Sequence, residues 1–543
     1  MTKRLRTRCS VTRLPPDHHC HDLLQDNGFL FCRILSGMNT ATSNPANLIE
    51  SLQLEVSMLK RQLAWYEEQF RLNKHRQFGA ASERFDAQGL LFNEAEQQTE
   101  DNEADDQDST PDDTRPVAAH QRKKPVRTEL PKDLPRDIRI LDVPEEEKWC
   151  ACCEIFRKKI GFDASCKLEI IPPQFKVIEY RRIKYGCACE NGIVTAPMVA
   201  MPIPKSIATP GLLAWVMTNK YCDALPLYRQ EFILKRIGAE ISRATLAEWM
   251  IRCAELLEPL YQALQKLLIE QSQLHADETT NQVLKEPGRA PQSNSYMWVY
   301  RTSEPLDKAI ILYDYQTGRG HQYPESFLSG FSGYLHCDGH SAYKTLSARN
   351  PDILLAGCMA HVRRKFADVV KATPKGEKPT RARQALRMIQ RLYGIERDIK
   401  DKPPDERYRV RQKESRPIIE EMKTWLDQLQ PLVPPKSLLG KAVNYALNQW
   451  SCVVRYLEDG LLAIDNNAAE RAIKPVVVGR KNWLFAHSVK GANASAILYS
   501  LIETAKANGL EPYAWLRHVL TELPKLGKDA CIDHLLPISA LTG

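Results

Sequence analysis

The sequence has no apolar run that approaches the ~18 residues a bilayer-spanning helix requires, so neither a membrane-embedded protein nor a membrane partner is expected. A secretory leader is also lacking. The N-terminus is basic, but its best apolar stretch, Gly28-Phe-Leu-Phe-Cys-Arg-Ile-Leu35, is short and broken by Arg33. Periodicity is missing throughout residues 1–37, whereas Met38 precedes a polar lead-in and then a helical pattern, which points to Met38 as the natural start. A disulfide framework is excluded too. Fifteen cysteines are an odd number, and Cys222, Cys253, Cys337 and Cys452 stand singly in apolar settings. That is the usage of a reduced, cytoplasmic protein.

Basic residues are absent between Glu94 and Asp113, where ten Asp and Glu occur. The formal net charge of +8 therefore hides a split, because the residues outside that run carry +18. A basic body of this kind suits a polyanion, most simply nucleic acid. A length of 543 residues implies three or four modules at roughly 100–200 residues each.

Residues 1–46 read as an unstructured extension. Ile49, Leu52, Val56, Leu59, Leu63, Tyr66 and Phe70 follow the three-and-four spacing of a coiled-coil seam. They predict a zipper-like helix over 47–75 that either self-associates or packs on its own chain. Residues 76–140 form a linker containing the acidic, disordered run 94–113. Residues 141–200 contain Cys150-Ala-Cys-Cys153 and Cys187-Ala-Cys189 around strand-like sequence, notably Phe175–Tyr185. Cys150, Cys153, Cys187 and Cys189 suit a tetrahedral Zn2+ site. The one-residue spacer of the second pair strains the usual knuckle, and Cys152 or Cys166 can substitute. A degenerate ribbon with unligated thiols is the other reading. From 201 to 268 the pattern is helical: Leu212–Tyr221, Leu227–Ile237, a glycine-containing turn, and a third helix capped by Ser242 and running through Trp249. This is a helix-turn-helix rhythm, with Arg243 placed to reach DNA; any small helical bundle gives the same pattern.

The strongest chemistry follows. Gln273-Leu-His-Ala-Asp-Glu-Thr279, Tyr296–Arg301 and Lys308–Tyr315 read as three consecutive strands. A helix at 321–328, a fourth strand ending at Asp338, a fifth at Ile353–Cys358 and a helix near His361 come next. This is the element order of a ribonuclease H-like fold, a mixed five-stranded sheet with helices. There the first and fourth strands are neighbours, so Asp277 and Asp338 meet although they lie far apart in sequence. Two such carboxylates repel unless a divalent cation neutralises them. The third carboxylate of a two-metal site is best supplied by Glu470, in the early turns of a helix capped by Asp465 or Asn466. Glu278 and Asp465 are reserve carboxylates. Arg363, Arg364 and Lys365 on the helix after the fifth strand, and Arg471, Lys474, Arg480 and Lys481 after Glu470, suit a phosphodiester substrate. Cys358 and His361 read either as half a metal site or as a buried thiol and a helix-capping imidazole. Trp483 reads as core or as a platform for a flipped base.

His275-Ala-Asp-Glu-Thr279, Cys337-Asp-Gly-His-Ser-Ala-Tyr343, Cys358-Met-Ala-His-Val-Arg-Arg-Lys-Phe366 and Asp465-Asn-Asn-Ala-Ala-Glu-Arg-Ala-Ile-Lys-Pro475 together resemble the insertion sequence 66 family of bacterial transposases. The resemblance extends from about Asn47 to the C-terminus and departs from the family at the Cys187-x-Cys189 spacing. It implies that Asp277, Asp338 and Glu470 are the Asp-Asp-Glu triad of a DDE transposase using Mg2+ or Mn2+. The core would span 269–490 with a helical insertion at about 375–458, followed by a C-terminal helical tail, 491–543. It further implies DNA ends and target DNA as substrates, a homo-oligomer, and two small accessory proteins from the same element. An inactive zinc-containing DNA-binding protein and a stand-alone nuclease are the competing readings.

Overall fold

The computed structural model describes residues 45–78, 149–150, 155–156, 175–186, 193–303, 308–374, 379–527 and 530–538. The proposed N-terminal extension, the acidic run, and Cys153, Cys187 and Cys189 lie outside them, as does the side chain of Cys150. The chain divides into two compact units, one of them within Ala81–Val199.

The first helix, α1, spans Pro45–Phe78. Its seven seam residues remain exposed, from 47% at Val56 to 70% at Phe70. A different side of the helix meets its own chain near the C-terminal end. Leu72 is buried, the Trp65 indole donates to the Lys436 carbonyl at 2.9 Å, and the Glu68 carboxylate accepts the Leu438 N–H at 3.1 Å.

In the smaller unit, β1 (Trp149–Cys150) pairs antiparallel with β2 (Ile155–Phe156), and β3 (Lys184–Gly186) with β4 (Ile193–Thr195). The strand expected over Phe175–Tyr185 is thus reduced to its last residues. Alternation supplies a strand-like pattern, but ladder bonds need a partner, and among the described residues only the segment facing β4 pairs.

In the larger unit, α2 (Pro210–Tyr221) and α3 (Leu227–Arg236) precede α4 (Arg243–Ile269). Ser242 caps α4 as expected, accepting the Thr245 N–H at 3.2 Å. The helix does not stop after Trp249, however. It runs on for 27 residues in all, because the spacing of Leu246, Met250 and Cys253 is continued by Leu257, Leu260, Leu264 and Leu268, all buried. Apolar residues three and four apart keep one face on the core past any local stop signal.

The central sheet is formed by β5 (Gln273–Lys285), β6 (Asn294–Thr302), β7 (Ile311–Gln316), β8 (Gly333–His336) and β9 (Ile353–Ala356), ordered β7-β6-β5-β8-β9. The first three strands are antiparallel, while β8 and β9 run parallel to β5 and to each other. Short α5 (Gln322–Phe327) and α6 (Ser341–Arg349) occupy the crossovers, and α7 (Met359–Ala372) follows β9.

Next comes a helical insertion with its own apolar core: α8 (Thr380–Asp398), α9 (Pro404–Val410), α10 (Arg416–Leu429) and α11 (Leu438–Asn448). The chain then returns as α12 (Asn467–Trp483), a sixth strand β10 (Ala486–Ser488) beside the far end of β5, α13 (Val489–Ala507) and α14 (Pro512–Glu522). Helix α13 covers β7. Ser500 Oγ and Thr504 Oγ1 accept the N–H groups of Tyr313 and Ile311 at 2.7 and 3.0 Å. These bonds satisfy edge groups that an open sheet would leave exposed.

Candidate active site

Parallel pairing of β5 with β8 sets His275 opposite His336. Asp277 and Asp338 each lie two residues further along, so the two carboxylates come level where β8 ends beside β5, on strands that run about 4.8 Å apart. Asp338 sits just past β8, in the turn before α6, where its Oδ1 accepts the His340 N–H at 2.9 Å. The intervening Gly339 has a packing reason: a Cβ there would lie 2.7 Å from the Gln449 side chain.

The third carboxylate arrives through Asn466, which is 1% exposed and precedes α12. Its Nδ2 donates to the Ala276 carbonyl at 2.9 Å, and its Oδ1 lies 2.7 Å from His275 Nδ1. Its backbone N–H donates to Cys358 Sγ at 3.2 Å. One side chain therefore joins the start of α12 to the strand beside Asp277, and Glu470 follows in the first turn of the helix. The expected cap at 465–466 divides between the two residues. Asn466 spends its side chain on β5, while Asp465 Oδ1 accepts the Asn467 N–H at 3.1 Å. Replacing Asn466 with Ala should leave the Ala276 carbonyl and a His275 nitrogen without these partners, at a cost of about 1–3 kcal/mol. Urea unfolding measures this, and an unchanged midpoint would contradict the role.

Helix α7 supports Glu470 from the other side. Arg364 is 3.3 Å from Glu470 Oε2 and His361 Nδ1 is 3.6 Å from Oε1. Cys358, His361 and Glu470 bring their ligand atoms within 4.8 Å of one another, a set able to hold a metal ion. Burial and the Arg364 charge lower the His361 pKa, so its imidazole favours the neutral form. Asp277 behaves oppositely. Burial, then the nearby charges of Glu278, Asp338 and Glu470, push its carboxyl up to about 8 against one bond from the Glu278 N–H. A divalent cation relieves this kind of strain between carboxylates, so the donor set fits such an ion.

The reserve carboxylates are both engaged. Glu278 has a fully buried side chain, accepts the Tyr343 hydroxyl at 2.6 Å and is gripped by the Arg319 guanidinium. Asp465 accepts the Tyr393 hydroxyl at 2.7 Å. Arg319 also comes within 3.9 Å of Asp338 Oδ2. No local pattern around Gly318-Arg-Gly320 singles it out; the sheet brings it to the site.

The basic candidates disperse. Arg243 is exposed at the start of α4, and Lys481 is exposed on α12. Arg364 serves Glu470, while Lys365 lies over the Tyr445 ring at 5.5 Å. Arg363 and Lys474 are half-buried and Arg471 is exposed. Arg480 donates to Thr279 and Thr280 of β5, at 3.2 Å and 2.7 Å from their hydroxyls, and so holds α12 to the strand. Trp483 is packed against the core, with Lys220 Nζ 3.6 Å from its ring centroid.

The model for the transposase IS66 family matches residues 205–494, covering the sheet, the insertion and all three carboxylates. The chain belongs to the IS66 family of transposases. Further models match at 500–538 (IS66 C-terminal element), at 65–139 (transposase C of IS166 homeodomain) and at 147–190 (zinc-finger binding domain of transposase IS66). Among its relatives in Sinorhizobium fredii, the uncharacterized protein y4jD is 36% identical over 405 residues, 73% of this chain and 78% of the relative. The uncharacterized protein y4qI is 35% identical over 411 residues, 74% and 75% of the two chains. No helix among the described residues is long and apolar enough to cross a membrane.

Proposed function

We propose that this IS66-family chain is a DDE transposase that cuts DNA at the ends of its insertion sequence and joins the freed ends to target DNA. The observation that carries this reading is the convergence of Asp277, Asp338 and Glu470, with the Asp277 carboxyl raised to about 8 by burial and carboxylate neighbours. The sheet order β7-β6-β5-β8-β9 supports a ribonuclease H-like core, with one aspartate on β5, the other just past its neighbour β8, and the glutamate on a returning helix.

Asp277, Asp338 and Glu470 would hold two Mg2+ or Mn2+ ions. When bound, such ions supply Lewis acidity that activates an attacking oxygen and neutralises the leaving 3′ oxygen. The protein's own groups do the remaining work. Arg364 and His361 orient Glu470, and Asn466 fixes the helix that carries it. Glu278, itself bonded by the Tyr343 hydroxyl, holds Arg319 with its guanidinium beside Asp338, where it can take a phosphate oxygen. Arg243, Arg363, Lys365, Arg471, Lys474 and Lys481 are assigned to phosphates of the duplex. Cys150, Cys153, Cys187 and Cys189 are assigned to a structural Zn2+, in keeping with the matched zinc-finger model. The exposed α1 seam supports a homo-oligomer, acting in the bacterial cytoplasm with two accessory proteins of the element.

The deciding assay incubates the purified protein, together with the element's two accessory proteins, with Mg2+, a labelled element-end duplex and a target plasmid. Nicked and joined products are expected from the wild type, and neither from Asp338→Asn or Glu470→Gln. Binding without cleavage would instead favour an inactive DNA-binding protein. Cleavage without joined product would favour a nuclease, and wild-type nicking by Asp338→Asn would refute the triad.

A further inference from the structure

Helix α8 carries arginines at 381, 383, 387, 391 and 397. Ala382, Ala385, Met388, Ile389 and Leu392 are buried in the core of the insertion, which leaves the arginine side facing outward. On that side lies a cavity of about 510 Å3 lined by Arg387, Gln390, Arg391, Tyr393, Gly394 and Arg397. Two further features set this surface apart from an ordinary solvated helix face.

The first is Gly394. In a helix interior, glycine costs roughly 1 kcal/mol relative to alanine, and here no local constraint requires it. Its φ is not positive, and a Cβ would meet nothing within 4 Å. What glycine does provide is a bare helix backbone in the cavity wall, the arrangement that lets a ligand backbone approach closely. The second is Tyr393, whose hydroxyl donates to Asp465 Oδ2 at 2.7 Å. Asp465 lies directly before α12, the helix bearing Glu470, so the arginine surface is tied to the catalytic helix. The ion pairs made there are weak holds. Arg391 reaches Glu421 at 3.2 Å and Arg397 reaches Asp398 at 3.4 Å, in each case between exposed side chains. Exposed pairs contribute little and exchange readily for a phosphate, which guanidinium recognises through two parallel bonds.

We propose that the α8 groove is a phosphate track for the DNA adjoining the scissile bond, with Arg387, Arg391 and Arg397 on phosphates spread along the strand and Gly394 admitting the strand. This rests on the transposase reading above and names a contact surface in the insertion. From Arg387 to Arg397 the helix rises about 15 Å, the length of about four base steps at 3.4 Å.

The test is a fluorescence-anisotropy titration of the full chain with an element-end duplex at several salt concentrations. Arg387→Gln/Arg391→Gln/Arg397→Gln should bind at least tenfold more weakly at 0.15 M salt. Its log K against log[salt] slope should be shallower by about 2–3, near the loss expected for three phosphate contacts. Arg517→Gln/Lys525→Gln removes two positive charges outside the groove and should shift the slope far less than two thirds of the triple variant's change. Gly394→Ala should raise the melting temperature, whereas Gly394→Glu should stay folded and weaken binding. A triple variant with wild-type affinity and slope would overturn the proposal. So would a triple variant that loses only binding of free mononucleotide. These binding readouts stand apart from cleavage: a wild type that cuts nothing in Mg2+ sinks the catalytic reading, while the salt slopes still judge the groove.

Discussion

Asp277→Asn is expected to reduce strand cleavage by about 1,000-fold or more and, in metal-free protein, to raise the melting temperature. Both effects come from one environment. Burial and the charges of Glu278, Asp338 and Glu470 lift the Asp277 carboxyl from an ordinary 3.8 to about 8. A group whose pKa is higher in the folded state binds more protons there than in the unfolded chain. Its stabilising contribution is complete below about pH 4 and is lost as pH rises through 8. Metal-free wild type should therefore lose stability across that window relative to Asp277→Asn. The expected gap at pH 8 is on the order of 1–3 kcal/mol, since the buried amide also has to find partners. Thermal melts in chelator from pH 5 to 8.5 measure it. Parallel curves for the two proteins would remove the electrostatic strain from the account, while retained cleavage by the variant would remove Asp277 from the active centre.

The second large effect lies in the insertion. Arg411 is fully buried within the π-helical turn Arg411–Ser415. Its guanidinium donates to both Glu396 oxygens at 2.8 and 2.6 Å, and to the carbonyls of Tyr456, Asp459 and Leu462 at 2.7–2.8 Å. Arg411→Ala would leave the largely buried Glu396 carboxylate with only Arg407, 3.9 Å away, and three carbonyls without these donors, at a cost of about 3–5 kcal/mol. Lysine should not restore the loss, because an ammonium lacks the planar fork that serves several acceptors at once. Arg411→Met combined with Glu396→Leu should recover part of it by removing the orphaned charge. Urea unfolding reads the effect, and a loss below about 1 kcal/mol would show that water or neighbouring groups replace the arginine.

Much of the architecture is legible in the sequence because its signals are local. Alternating apolar residues locate the strands after Gln273, and three-and-four spacing locates α1. Ser242 announces the start of α4 by its cap. The span 201–268 reads as helical, but that Leu257–Leu268 continues the helix begun at Arg243 without a break is decided by the single buried face they share with Leu246, Met250 and Cys253. The sixth strand, β10, is equally hidden. Three residues carry too little pattern, and only pairing with Val283 and Lys285 of β5 defines it.

The site divides along the same line. Sequence alone located most of the elements, singled out the three carboxylates as candidates and carried the family motifs around them, because residue type and spacing suffice for that. It also exposed the acidic stretch without Lys or Arg that conceals a basic body. Tertiary structure decided which groups share a space. It tied Asn466 to β5, committed Glu278 to Arg319 and Tyr343, turned Arg480 onto the threonines of β5, and brought Tyr393 of the insertion to Asp465. Those contacts join residues as many as 201 positions apart. No local propensity encodes them; they follow from parallel strand register and from the packing of returning helices.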